Sequence, residues 1–159
     1  MNFPTSVKSG FSNYANFKGR ASRSEFWWFV LFIQMSQLVA QNVWSTLGSI
    51  ASLVFFIPNL SLNFRRLHDI GKSAKWLLWP VLSAFGAVIS FVLAVVNLGI
   101  SFSSIDSEQV LNGGSKVLLV FVFAFFISAI VGTIVNFVFL LMPSDSEMNK
   151  YGPPPPPTL

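Results

Sequence analysis

Cysteine is absent from this 159-residue chain, which excludes disulfides, thiolate metal sites and cysteine nucleophiles. Histidine occurs once, at His68, so no second imidazole exists to complete a metal site or a catalytic pair. Charge is scarce as well: 10% of residues are Asp, Glu, Lys or Arg, against roughly 25% in soluble globular domains. No Asp, Glu, Lys, Arg or His occurs from Phe26 to Phe64, from Trp76 to Ile105, or from Val117 to Ser144. A membrane-embedded ionisable group, the usual mark of an ion or proton pathway, is therefore missing. Also missing up to Glu25 is an apolar run followed by a small-residue cleavage site, so no removed signal peptide is expected and the first span directs insertion.

What remains is apolar: 53% of residues are hydrophobic, with a mean hydropathy of +0.64. Because a bilayer core takes about 20 apolar residues per helix, the three charge-free windows predict four spans, at 26–44, 48–64, 76–98 and 117–142. The expected fold is an all-α integral membrane protein, four transmembrane helices in a compact bundle. It comprises an N-terminal arm over 1–22, the transmembrane domain over 23–142 and a proline-rich tail over 143–159. Residues Met1 to Asn16 fit either a loosely ordered arm or a short interfacial helix. Ser22 and Glu25 have capping-box spacing, so the first span starts near Arg23, with Trp27 and Trp28 at headgroup depth. The turn to the second helix falls around Trp44 to Gly48; Pro58 is a kink position, and Gly71 ends the helix as a left-handed residue. Ser73 caps the third helix and Pro143 closes the fourth. The loop from Gly99 to Lys116 is turn-rich and weakly acidic, and Pro153 to Pro157 favour an extended rod, a spacer more than a recognition motif.

Lys8, Lys18, Arg20 and Arg23 precede the first span, and Arg65, Arg66, Lys72 and Lys75 lie between the second and third. Lys116 alone stands on the opposite side, so the positive-inside bias places both termini and the central loop in the cytoplasm. Small and polar residues at alternating three and four spacing mark helix-packing faces: Ser49, Ser52, Asn59 and Asn63; Ser83, Ala87, Ser90, Ala94 and Asn97; Ala124, Ser128, Gly132 and Asn136. The first span contributes Gln34, Gln37 and Gln41, which serve packing or, alternatively, line the polar seam of a small transporter or channel subunit.

Polar chemistry concentrates in two segments, Phe17 to Glu25 and Asn63 to Lys75. Gly71-Lys72-Ser73 lacks the glycine a phosphate-binding P-loop requires at position 66, where Arg66 stands. His68 and Asp69, adjacent on a helix, point about 100° apart and do not make a dyad. Arg65 and Asp69 share a face, and Glu25, a lone carboxylate among cations, is expected to pair with Arg65 or Arg66. The candidate site is a cytoplasmic-face anion or lipid site of Arg20, Arg23, Glu25, Arg65, Arg66, His68, Asp69 and Lys72. Anionic lipid headgroups are the expected partners, with a protein partner or a second copy as alternatives and no nucleic acid; no cofactor, metal or catalytic group is expected.

The segments Gly19 to Phe29 (GRASRSEFWWF), Arg65 to Ser73 (RRLHDIGKS) and Asn149 to Pro153 (NKYGP) resemble those of the bacterial inner-membrane family called domain of unknown function 805. The resemblance covers about Phe11 to Pro153. It departs from the family in the Gly99 to Lys116 loop, which is not a short glycine-rich stretch, and in the added proline run. It implies a four-helix protein of the bacterial cytoplasmic membrane with no established activity. Positions matching the motifs are Gly19, Arg20, Ser22, Arg23, Glu25, Trp27, Arg65, Arg66, Leu67, His68, Asp69, Gly71, Tyr151, Gly152 and Pro153, which implies one shared site on the cytoplasmic face.

Overall fold

The computed structural model describes residues 1–103 and 113–155. Residues 104–112 of the loop expected from Gly99 to Lys116, and Pro156 and Pro157 of the proline run, lie outside the described residues. Five α-helices follow in order: α1 (Phe3–Ser12), α2 (Arg23–Val43), α3 (Ser45–Asp69), α4 (Leu78–Ser103), which a 3-10 turn (Ala74–Leu77) precedes, and α5 (Gly113–Leu141). Among the described residues there is no β-strand; one isolated antiparallel bridge pairs Asn149 with Gly152. The chain divides into two compact units, one of Met1–Ala74 with Val138–Leu159 and one of Lys75–Phe137.

Among the described residues three helical stretches are long and apolar enough to cross a membrane: Thr46–Asp69, Ala74–Val96 and Lys116–Leu141. The 21-residue α2 is of comparable length but carries Gln34, Gln37, Gln41 and Asn42, which lower its hydropathy.

The N-terminal arm is helical. Asn2 caps α1 by accepting the Thr5 N–H at 3.1 Å, and Pro4 in the first turn removes a donor that has no intrahelical acceptor there. A Cβ on Gly10 would lie 2.2 Å from the Phe29 ring, so only glycine lets α1 sit this close to α2. Phe11 then meets Phe29 and Phe32 edge-on at 5.6 and 5.7 Å.

In the first unit Ala21, Phe26, Phe29, Ile33 and Leu62 form the buried cluster. This corrects the expectation that small and polar residues pack the first two spans: Ser49, Ser52, Asn59, Gln34 and Gln41 are exposed, and Gln37 is half-buried. The phenylalanines of α1 and α2 supply most of that core instead, with close approach at Gly10 against Phe29 and at Gly48 against Gln41.

The α2–α3 break falls at Trp44, whose φ of −163° is extended. Inside α3, Pro58 has no N–H, so the Val54 carbonyl loses its helical donor. The Tyr14 hydroxyl donates to that carbonyl instead, and the Ser61 hydroxyl to the Pro58 and Asn13 carbonyls. A helix break inside a span is thus repaired by the arm. The end of α3 is a Schellman motif: Lys72 N–H donates to the Leu67 carbonyl at 2.9 Å and Gly71 N–H to that of His68 at 3.1 Å, with Gly71 at φ +68°.

In the second unit the expected seam is partly packed. Ser83, Ser90, Ala94 and Asn136 are buried. Trp79 Nε1 donates to the Ser128 hydroxyl at 3.1 Å, Ser83 and Ser128 hydroxyls bond at 3.0 Å, and the Asn136 amide donates to the Trp76 carbonyl at 3.0 Å. Such amide and hydroxyl bonds join helices where lipid offers no hydrophobic drive. Ser73 directly precedes the 3-10 turn, from which α4 runs through Pro80 within its first turn.

Candidate functional site

Three polar segments meet at one end of the first unit: the loop before α2, the last two turns of α3, and the tail after α5. Arg65 and Arg66 follow each other on α3 and so diverge by about 100°. One turns toward α2 and the other toward the tail.

Asp69 is the hub on the tail side. Its carboxylate is fully buried and accepts from Arg20 Nε at 3.0 Å and from Arg66 Nη1 at 2.5 Å. The expected Arg65–Asp69 partnership on one helix face is not formed, because two guanidinium groups from better-placed positions saturate the carboxylate.

Arg20 donates further to the backbone carbonyls of Asp69 at 3.2 Å, Glu147 at 2.7 Å, Gly152 at 3.3 Å and Asp145. Arg66 donates to the Leu140 carbonyl from Nε at 3.3 Å and Nη2 at 3.2 Å, to the Met142 carbonyl, and to the Ser144 hydroxyl at 3.4 Å. A guanidinium has five N–H groups. Each of these two arginines therefore spends its whole donor set inside the fold, chiefly on backbone carbonyls.

The tail segment returns these contacts. Asn149 Nδ2 donates to the His68 carbonyl at 3.0 Å and to Asp145 Oδ2 at 3.2 Å, and Asp145 N–H donates to the Asp69 carbonyl at 3.1 Å. Tyr151 stacks on His68 with centroids 3.8 Å apart and planes 9° from parallel, and Lys150 Nζ lies 5.0 Å from the Tyr151 ring. Gly152, at φ +126°, closes the turn that brings its carbonyl to Arg20. His68 Nδ1 lies 3.3 Å from the Gly19 carbonyl, so the histidine is held as a stacking platform.

On the α2 side Ser22 caps the helix, accepting the Glu25 N–H at 3.2 Å. The Glu25 carboxylate does not reach back to complete a capping box. It accepts instead from Arg65 Nη1 at 2.9 Å and from the Ser9 hydroxyl at 2.9 Å. Of the two arginines open to Glu25 in the sequence, the structure selects Arg65. Both side chains are about 95% buried, so their attraction is little screened by water. Arg65 Nε and Nη2, buried as well, donate to no described group. Arg65 also lines a cleft of about 280 Å³, together with Asn13, Asn16, Lys18, Arg20 and Glu25 among others.

Residues 14–153 match the family described as a protein of unknown function, DUF805. The chain belongs to this family. Among curated DUF805 relatives, the inner membrane protein YhaI of Escherichia coli (strain K12) is 36% identical over 88 residues, covering 46% of this chain and 75% of the relative. Inner membrane protein YhaH of the same strain is 34% identical over 91 residues, covering 50% and 75%. The uncharacterized protein YiiR is 29% identical over 91 residues, covering 54% and 58%. No solved structure matches.

In this DUF805 chain the structure brings Arg20, Arg66, His68 and Asp69 into one network and Glu25 and Arg65 into an adjoining pair. Arg23 is exposed at the start of α2, and the Lys72 ammonium lies 5.5 Å from the Phe139 ring. Gln34, Gln37 and Gln41 lie on α2 beyond this end. Sequence reasoning missed Ser9, Tyr14, Asp145 and Asn149. The NKYGP segment was a signal for Asn149; nothing in the local sequence singles out Ser9 or Tyr14.

Proposed function

We propose that this DUF805 protein is a non-enzymatic, multi-pass protein of the bacterial inner membrane whose basic cytoplasmic face binds anionic lipid headgroups. It has four spans and both termini in the cytoplasm. As the fourth span, α2 has a length of about 30 Å at 1.5 Å per residue, matching a bilayer core, and no charge follows Glu25 in it.

The observation that carries the proposal is uncompensated positive charge. Among the described residues of the first unit, Lys8, Lys18, Arg20, Arg23, Arg65, Arg66, Lys72 and Lys150 stand against Glu25, Asp69, Asp145 and Glu147, eight cations to four anions. The internal pairs use Arg20, Arg65 and Arg66. Exposed Arg23, at the start of a helix carrying half-exposed Trp27 and exposed Trp28, is the kind of cation that faces headgroups.

Native mass spectrometry of the chain released from nanodiscs of mixed phosphatidylglycerol and phosphatidylcholine is expected to retain the anionic lipid preferentially. The double variant Arg23→Gln/Lys72→Gln is expected to lower that preference about tenfold. Equal retention of the two lipids by the unaltered chain would contradict the proposal.

A second function is favoured by the exposure of Gln34 and Gln41 on an otherwise apolar helix. Amides facing outward from a span seek polar partners, in a second copy or in a water-filled seam. Solute flux in proteoliposomes that disappears on Gln37→Leu would favour that transporter role.

A further inference from the structure

Three arginines with buried side chains occupy the charged end of the first unit, and their donor sets differ. Arg20 and Arg66 each place five N–H groups on oxygens of the protein. Arg65 donates from Nη1 to Glu25, while its Nε and Nη2 have no partner among the described residues. Nε–H and one Nη2–H run parallel along one edge of the guanidinium. That edge matches two oxygens of one phosphate or carboxylate group. Buried donors left unmatched are uncommon in folded proteins, and charged ones more costly than neutral ones.

Arg65 lines the cleft of about 280 Å³, and the other polar groups there are mostly committed. The Asn13 amide donates to the Ser9 carbonyl at 3.0 Å, and the Asn16 amide to Asn13 Oδ1 at 2.9 Å. Glu25 neutralises Arg65, but Asp69 is shared between Arg20 and Arg66, so that pairing leaves one positive charge over. Exposed Lys18 and the Met1 ammonium, which also line the cleft, add to that positive surplus. A positive surplus beside a paired donor edge suits a phosphate group, which in a phospholipid headgroup is a phosphodiester.

We infer that the cleft binds one phosphodiester group, received side-on by Arg65 Nε–H and Nη2–H with Lys18 at the rim. This rests on the headgroup-binding role proposed above and names its ligand chemistry. A phospholipid headgroup and a soluble phosphodiester share that chemistry, and the test separates them.

The full chain in detergent is titrated with phosphatidylglycerol in one arm and with dimethyl phosphate in the other, and one-to-one binding is read by native mass spectrometry and ³¹P NMR. Arg65→Lys keeps the charge and the Glu25 partner but loses the parallel edge, and it is expected to weaken one-to-one binding at least about tenfold. The enrichment of anionic lipid that depends on Arg23 and Lys72 is expected to persist in that variant. Lys18→Gln, an exposed substitution that spares the fold, is expected to weaken binding about threefold.

Binding of phosphatidylglycerol alone with these losses supports a headgroup as the source, and binding of dimethyl phosphate with the same losses supports a soluble one. Unaltered one-to-one binding in folded Arg65→Lys overturns the inference, as does unaltered binding in Lys18→Gln should Arg65→Lys fail to fold. Absence of one-to-one binding in both arms by the unaltered chain, with anionic enrichment intact, overturns the phosphodiester site and leaves the basic-face proposal standing. Loss of that enrichment with Arg65-dependent binding intact does the reverse.

Discussion

The Asp69→Asn variant is expected to lose about 4 kcal/mol or more of stability in the first unit, because one neutral amide then faces two buried guanidinium groups. Asp69 is fully buried between Arg20 at 3.0 Å and Arg66 at 2.5 Å, so no solvent replaces the lost charge. Breaking a buried pair by removing one partner costs about 3–5 kcal/mol, and here one deletion breaks two pairs. In detergent the first unit's thermal transition is expected to fall by about 15 °C or more. The segment after Ser144, which Arg20 holds through the carbonyls of Asp145, Glu147 and Gly152, is expected to become protease-sensitive. Arg20→Gln is expected to be milder, since Asp69 then keeps Arg66. A shift of only a few degrees for Asp69→Asn would mean that the network is not the fastening of the tail.

The Glu25–Arg65 pair gives the second large effect. Glu25→Arg places a cation against Arg65, and Arg65→Glu places an anion against Glu25; each single reversal is expected to cost about 3–5 kcal/mol. The double reversal restores opposite charges across the same 2.9 Å contact, and the Ser9 hydroxyl, now donating to Glu25, can accept from an arginine there as well. Chemical denaturation of the four proteins is expected to yield a favourable coupling of about 1–3 kcal/mol. A double variant no better than the sum of the singles would mean that the pair contributes no interaction of its own.

Local signals in the sequence were read at the right residues where they depended on nearest neighbours. Ser22 caps α2, the helix break falls at Trp44, and Gly71 adopts the left-handed conformation that ends α3. Each is a backbone requirement met within a few positions. Partner choice was less legible. Arg65 and Arg66 are both near enough in sequence logic to take Glu25, and only the rotation of α3 against α2 assigns it to Arg65. The same rotation denies Asp69 to Arg65, four residues away, and gives it to Arg66 and to Arg20, from which it is 49 residues distant. Small-residue patterning found contacts of α5 with α4 at Ser83 and Ser128, and with the 3-10 turn at Asn136. It failed between α2 and α3, where Phe26, Phe29 and Leu62 pack by size. The repair of Pro58 by Tyr14 was invisible because it joins two segments that no pattern links.

The three polar segments thus meet as one fastened end, with Arg20 and Arg66 committed to the fold and Arg65 carrying the unspent donors. The functional account requires that this end face the cytoplasm. The absence of cysteine makes single introduced thiols free of background. Lys8→Cys, Lys72→Cys, Glu147→Cys and Lys116→Cys can each be exposed to a membrane-impermeant maleimide in spheroplasts before and after permeabilisation. Labelling at 116 before permeabilisation, and at 8, 72 and 147 only after it, is the expected result. Labelling at 72 in unpermeabilised spheroplasts would contradict the account.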